Sequence, residues 1–152
     1  VDRAVRPRIR PATLDDVDGL LAIERVFPTD RLTRRSFRHA VQSAASDLLV
    51  AEGADGPIGY ALVQRRRNSA AGHLSSIAVK RGAAGRGLGK QLLRAAEAEA
   101  KAKGCARLRL EVRADNTAAQ RLYHKTGYRR FEVAGDYYED GEAAWRYEKT
   151  LT

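Results

Sequence analysis

The chain has little of what builds covalent or metal-held architectures. Its 152 residues include one cysteine, Cys105, so an internal disulfide or a thiolate cluster is excluded. Cys105 follows a helix stop and precedes a strand, and reads as a small buried residue. The three histidines, His39, His73 and His124, show no ligand spacing, and no metal is expected. No apolar run approaches the length of a membrane span, and the first residues carry no signal-peptide core. The expectation is a cytoplasmic setting with no membrane partner. There is also no internal repeat, low-complexity tract or linker.

What is present is the composition of a globular α/β domain, 43% hydrophobic and 31% charged. The length fits one domain with a real core. Residues 1–6 read as a loose polar lead-in and residues 7–152 as the single domain. The net charge is +9, with arginine clusters at Arg34-Arg35-Arg38, Arg65-Arg66-Arg67 and Arg129-Arg130. One reading is a solvated surface. Another is attraction to a polyanion: a phosphate-bearing cofactor, an acidic protein or nucleic acid.

Along the chain, Arg8 to Ala12 reads as a short strand. Thr13 with Asp16 starts a helix bearing Leu14, Val17, Leu20, Leu21 and Phe27. Thr33 to Ala45 reads as a second helix. Strands follow at Asp47–Ala51, Ile58–Gln64 and Leu74–Val79, with turn chemistry at Ala54–Pro57 and Asn68–Gly72. His73 falls at the edge of that second turn and reads as a turn residue. Gly87 to Lys103 places Leu88, Leu92, Leu93, Ala96 and Ala100 at helical spacing, and Gly104 is its stop. Arg107 to Val112 alternates as a strand. Asn116 caps a helix that Gly127 ends, and Tyr128–Val133 and Ala143–Leu151 close the domain. The order is β-α-α-β-β-β-α-β-α-β-β, a mixed sheet flanked by helices.

The most informative stretch is Ala84-Gly85-Arg86-Gly87-Leu88-Gly89-Lys90, between a strand and a helix. Glycines there leave backbone N–H groups uncovered at a helix N-terminus, where a phosphate binds well. The stretch is not a Walker A loop, because Gly89-Lys90 is followed by Gln91. It is not the dinucleotide fingerprint either, because the glycines run G-x-G-x-G after a three-strand meander.

These residues, with the element order, resemble the GNAT superfamily of acyl-CoA-dependent N-acetyltransferases. Its loop pattern is Arg/Gln-x-x-Gly-x-Gly/Ala; Gly87 and Gly89 match, and Ala84 replaces the long polar first residue. A second block, Leu110-Glu111-Val112-Arg113-Ala114-Asp115-Asn116 with Ala119, Leu122-Tyr123 and Gly127-Tyr128, is similar to the ribosomal-protein alanine N-acetyltransferase branch. So is Asp136-Tyr137-Tyr138-Glu139-Asp140-Gly141. The resemblance covers residues 47 to 151 well, and the first 45 in helix-helix outline only. It implies a GNAT-like, mostly antiparallel mixed sheet and acetyl-CoA as cosubstrate. The acceptor it implies is an amine, foremost a protein or peptide α-amino group.

The resemblance also implies site residues. The main chain of Ala84, Gly85, Arg86, Gly87, Leu88, Gly89 and Lys90 would hold the pyrophosphate, and Ile77, Ala78 and Val79 the pantetheine arm and thioester oxygen. Asn116 is either a helix cap or a cofactor contact. Glu111 is the candidate general base and Tyr123 the candidate general acid. Tyr137 and Tyr138 would hold the acceptor, and Tyr128 reads as core. Roughly a tenth of a free α-amino group is neutral at pH 7, against well under a thousandth of a lysine, so an α-amino acceptor needs only modest help.

Alternatives stay open: a lysine or small-amine acceptor on the same fold, a non-catalytic acyl-CoA-binding module, or a basic nucleic-acid-binding domain. An arginine-lined acceptor site would disfavour polycations by like-charge repulsion and suit a neutral or acidic acceptor. The nucleic-acid reading needs basic residues interleaved with exposed aromatics, and only Phe131 beside Arg129-Arg130 offers that. Nucleic acid therefore ranks below an amine acceptor as a partner, and the chain is expected as a monomer or homodimer.

Overall fold

The computed structural model describes residues 7–83 and 87–152. The expected lead-in 1–6 and three of the loop residues, Ala84, Gly85 and Arg86, lie outside the described residues.

The elements follow the expected order. They are β1 (Ile9–Pro11), α1 (Val17–Glu24, entered through a 3-10 turn at Leu14–Asp16), α2 (Arg34–Gln42), β2 (Ser46–Gly53), β3 (Gly56–Arg65) and β4 (Ala71–Val79). Then come α3 (Leu88–Ala102), β5 (Arg107–Arg113), α4 (Thr117–Lys125), β6 (Arg129–Ala134) and β7 (Ala144–Thr150). At the entrance to α1 the Thr13 N–H donates to Asp16 Oδ2 at 2.7 Å, while Arg10 grips the same carboxylate at 2.8 and 2.9 Å. Helix α2 stops three residues before its expected end. Ser43 turns extended there, and its hydroxyl accepts from Ala45 N at 3.1 Å. No helix among the described residues is long and apolar enough to cross a membrane.

The strands form one seven-stranded sheet in the order β1-β2-β3-β4-β5-β7-β6. Every neighbouring pair is antiparallel except β4 and β5. Parallel neighbours need a crossover, and α3 supplies it. Its Leu88, Leu92, Leu93, Ala96 and Ala100 bury one stripe against the sheet. Each of the leucines contributes roughly 1.5–3 kcal/mol. Gly104, at φ +93°, ends the helix in the left-handed region. On this face Leu108, Leu110 and Val112 of β5 join Tyr123, Tyr128 and Tyr147 in the larger core. On the other face α1 and α2 pack Leu20, Ile23 and Phe37 against Val50, Tyr60 and Leu62.

Strand β4 begins at Ala71 rather than Leu74, which brings His73 into the sheet. Gly72 is therefore a strand residue, and close packing explains it. A Cβ there would stand 3.2 Å from Cys105 Sγ and 3.4 Å from Leu108 Cδ1. Turn composition misleads at this point because the glycine serves packing.

The parallel ladder is short. It joins Ala71↔Arg107 through Leu74↔Leu110 and then stops, although β4 runs on to Val79 and β5 to Arg113. Where it stops, β4 carries a bulge against β3: Leu62 pairs with Ser76 but Val63 with Leu74, leaving Ser75 extra. A bulge bends its strand, and here β4 departs from β5. Lys80 N donates to Ile58 O of β3 at 2.7 Å. Main-chain groups alternate along a strand, so Ala78 also faces β3, while Ile77 and Val79 turn their N–H groups toward the gap.

Candidate active site

The gap between β4 and β5 opens into a cavity of about 620 Å³. Leu74 to Ile77 form one wall and Leu110 to Arg113 the other. Asn116, Ala119 and Tyr123 of α4 close the back. The rim comes from the α1–α2 connection, Phe27 to Asp30, and from Tyr137, Tyr138 and Asp140 of the β6–β7 loop. The two rim loops are latched. Asp30 N donates to Glu139 Oε2 and Glu139 N to Asp30 Oδ1, each at 3.4 Å, and Arg113 holds Asp140 at 2.6 Å.

Strand alternation puts Glu111 on the face of Arg109, opposite Leu110. Its side chain is only 8% exposed, and its arginine partner is Arg146, at 3.3 Å, while Arg109 turns to Glu148 at 2.8 Å. His73 Nε2 lies 2.6 Å from Glu111 Oε1, and the Tyr137 hydroxyl donates to the same oxygen at 3.4 Å. Burial alone would raise the Glu111 pKa. His73 and then Arg146 outweigh it and hold the carboxyl below its ordinary value.

Tyr123 packs edge-on to Tyr128, with ring centroids 5.5 Å apart. Its ring is buried and it lines the cavity. Among the described residues its hydroxyl has no hydrogen-bond partner. Burial pushes its pKa up to about 12, so the phenol keeps its proton at neutral pH. Tyr128 is core as expected, with its hydroxyl on Glu97 at 2.7 Å.

The other expected residues divide. Ile77 lines the cavity. A Cβ on Gly89 would lie 3.9 Å from Val79 Cγ2, so the start of α3 sits against the end of β4. Gly87 is the N-cap of α3 at φ +73°, with no side chain capping the first turn. Among the described residues the first N–H groups of that turn have no side-chain partner, and Gly89 sets them against the end of β4. Ala78 offers the gap nothing, since its side chain enters the second core. Leu88 is buried, and Lys90 turns to a groove between α3 and α4. Asn116 lines the cavity and also caps α4, accepting from Ala119 N at 3.0 Å. Tyr137 and Tyr138 stack edge-to-face at 5.0 Å on the rim, with Arg113 4.9 Å over Tyr138.

The fold does not build an arginine-lined acceptor site. Glu24, Asp30, Glu111 and Asp140 line the cavity with one arginine, Arg113, itself paired to Asp115 and Asp140. The clustered arginines fold onto outer surfaces instead. A cationic head suits this cavity better than an anionic one.

Sequence reasoning missed three groups. Glu24 is 3% exposed; its carboxylate accepts from Leu32 N at 2.7 Å and from the Tyr60 hydroxyl at 2.8 Å. Tyr60 in turn meets Ser76 Oγ at 2.6 Å. The available signal was a carboxylate on the apolar stripe of α1, four residues after Leu20. His73 was hidden by its glycine neighbour. Arg146 is fixed only by the β5–β7 register, Glu111↔Arg146, which spacing does not reveal. No group of three or more His, Cys, Asp or Glu among the described residues is placed to hold a metal ion.

Comparison with known proteins agrees with this geometry. The model of the acetyltransferase (GNAT) family matches residues 15–128. The catalytic subunit NAA10 of the N-terminal acetyltransferase A complex of Arabidopsis thaliana is 34% identical over 148 residues, 94% of this chain and 77% of that one. The ribosomal-protein-S18-alanine N-acetyltransferase of Escherichia coli superposes with a TM-score of 0.84 at 26% identity, covering 95% and 94% of the two chains. The NatC complex bound to Gag peptide and CoA shares the fold, with a TM-score of 0.82 at 19% identity over 97% of this chain and 100% of that one. The family model spans most of the chain and the fold superposes throughout: the chain belongs to the GNAT family of acetyltransferases.

Proposed function

We propose that this acetyltransferase moves an acetyl group from acetyl-CoA directly to the α-amino group of a protein or peptide N-terminus. The observation that carries the reading is the carboxylate-lined cavity at the β4–β5 gap, roofed by two latched loops. It has room for an extended chain end and a charge that attracts an ammonium group. Two of the relatives named above support the same reading, one by name the catalytic subunit of an N-terminal acetyltransferase and the other an N-acetyltransferase of a ribosomal-protein alanine.

The residues present fit coenzyme A on their own geometry. The unpaired N–H groups of Ile77 and Val79 line the gap, and the first turn of α3 lies at its end without a side-chain cap. A narrow arm would lie along the first and a diphosphate against the second. When bound, the cosubstrate supplies a thioester carbonyl open to attack. Ile77 N–H is the donor for the carbonyl oxygen. The Glu111–His73 pair takes the proton from the amine, directly or through water. Glu111 stays ionised at neutral pH and holds the imidazole in one orientation. Tyr123 holds a proton in the cavity wall for the departing thiolate. Glu24 and Asp30 orient the ammonium before it is deprotonated.

The test is thiol release from acetyl-CoA with a panel of acceptors. Peptides with free N-termini should react, and the same peptides with blocked N-termini should not, even when they contain lysine. Acidic first residues should lower kcat/KM by about tenfold or more, the scale of an unfavourable charge pair at ~1.4 kcal/mol. Equal rates on blocked lysine peptides would move the acceptor to a side chain.

A further inference from the structure

We propose that the outer face of α2, continued by Arg66 and Arg67, binds the phosphate backbone of RNA. The site is separate from the cavity, but the choice of RNA rests on the proposed N-terminal acceptor.

Helix α2 buries Phe37 and Ala40 and turns Arg34, Arg35, Arg38, His39 and Gln42 outward, around a shallow groove of about 620 Å³. Local physics disfavours this arrangement. Arg34 and Arg35 occupy the first turn, at the positive end of the helix dipole, and no acidic residue shares that turn. Arg38 lies one turn from both, so like charges are neighbours. Among the described residues only Arg34 has a carboxylate partner, Asp18 at 2.8 Å. Arg35, Arg38, Arg66 and Arg67 have none.

The fold extends the stripe. Arg65 donates to Ala44 O at 2.8 Å, and its N–H to Ala45 O at 2.8 Å. These bonds fasten the end of β3 to the connection between α2 and β2. Arg66 and Arg67 are exposed there. Two clusters far apart in sequence are thereby brought within one connection of each other, and four of their exposed arginines, Arg35, Arg38, Arg66 and Arg67, have no carboxylate partner among the described residues.

The chemistry of the track selects its partner. It exposes no large apolar side chain. A protein interface needs an apolar core, and a membrane-surface helix needs residues to insert. Guanidinium groups alone match phosphates, by paired hydrogen bonds. The missing aromatics that set nucleic acid aside at the sequence level are needed for base stacking, and backbone contact needs none. RNA is the nucleic acid because the E. coli protein of similar fold acts on a ribosomal protein, and ribosomal proteins are held by RNA. The track also adjoins the cavity. Leu32, just before α2, donates to the cavity residue Glu24. RNA lying on α2 would present its protein's free end to the mouth.

The test measures anisotropy of a labelled RNA of about 20 nucleotides across roughly 50–200 mM salt. The proteins are wild type, R35E/R38E and R66E/R67E, with thermal unfolding and acetylation of a short peptide followed in parallel. We expect each double variant to lose about tenfold or more in RNA affinity. The log–log salt slope should fall by about 0.7 for each lost phosphate contact. Peptide kcat/KM and unfolding midpoint should stay at the wild-type values. Unchanged RNA affinity in both variants overturns the proposal. So does tighter binding of DNA of the same sequence, or displacement of the RNA by polyglutamate at equal charge, which makes the track a docking face for an acidic protein. RNA binding that responds to these changes in a protein inactive on every peptide would sink the acceptor reading and leave the track standing.

Discussion

His73 Nε2 sits 2.6 Å from Glu111 Oε1 where the strands part, His73 one residue before the end of the parallel ladder and Glu111 one residue beyond it. The strands thus bring an imidazole and a carboxylate together at the apex of the gap. If the two act as a unit, their losses do not add. His73→Ala and Glu111→Gln should each lower kcat/KM by roughly 100-fold, and the double variant by little more than either. Kinetics of the four proteins check this. Additive losses would mean two independent roles.

Tyr123→Phe removes one hydroxyl from a buried ring and leaves its packing against Tyr128 in place. Turnover should fall by about 100-fold, the usual scale for a lost general acid. Coenzyme A affinity by calorimetry should stay within about twofold. Parallel loss of turnover and affinity would show that the ring acts through packing alone.

Gly87 and Gly104 bracket α3, both at positive φ with open space where a Cβ would go. Alanine at either costs about 1 kcal/mol of backbone strain. Gly87→Ala should weaken coenzyme A binding beyond that strain, and Gly87→Glu should abolish it by covering the first-turn N–H groups. Gly104→Ala, at the far end, should lower the unfolding midpoint equally and leave binding intact. Calorimetry with all three separates strain from the loss of the anion seat.

Asp16 accepts from Arg10 and from the Thr13 N–H, and Arg10 above all holds its carboxyl below the ordinary range. A depressed folded-state pKa contributes stability that is complete above the unfolded value, near ~4. That contribution is lost as pH falls through the folded one. Asp16→Asn should cost about 1–3 kcal/mol at pH 7. The gap between variant and wild type should shrink below about pH 4. Denaturant unfolding at several pH values measures it, and a gap constant down to acid pH would dissociate Asp16 from the ion pair.

Much of this fold was legible because its signals are local. Thr13, Thr33 and Asn116 announce helix starts, Gly104 and Gly127 announce ends, and Leu108-Leu110-Val112 alternates cleanly. Glu111 and Tyr123 stood out because a carboxylate in an apolar strand and a phenol on a core-facing helix are chemically conspicuous. What stayed hidden depends on register and close approach. His73 reaches Glu111 only because Gly72 lets β4 run past Cys105 into the sheet. Arg146 reaches it through the β5–β7 pairing. The charge of the cavity is not legible in the arginine clusters, because Arg34, Arg35 and Arg38 point outward once Phe37 and Ala40 are buried.

The latch of Asp30 and Glu139 over the cavity mouth has a temporal consequence. For the proposed acceptor, a clasp of this kind favours a terminus that still dangles over one already tucked into tertiary structure. On that reading such a recipient would be modified early in its life, before its own folding draws the terminus in.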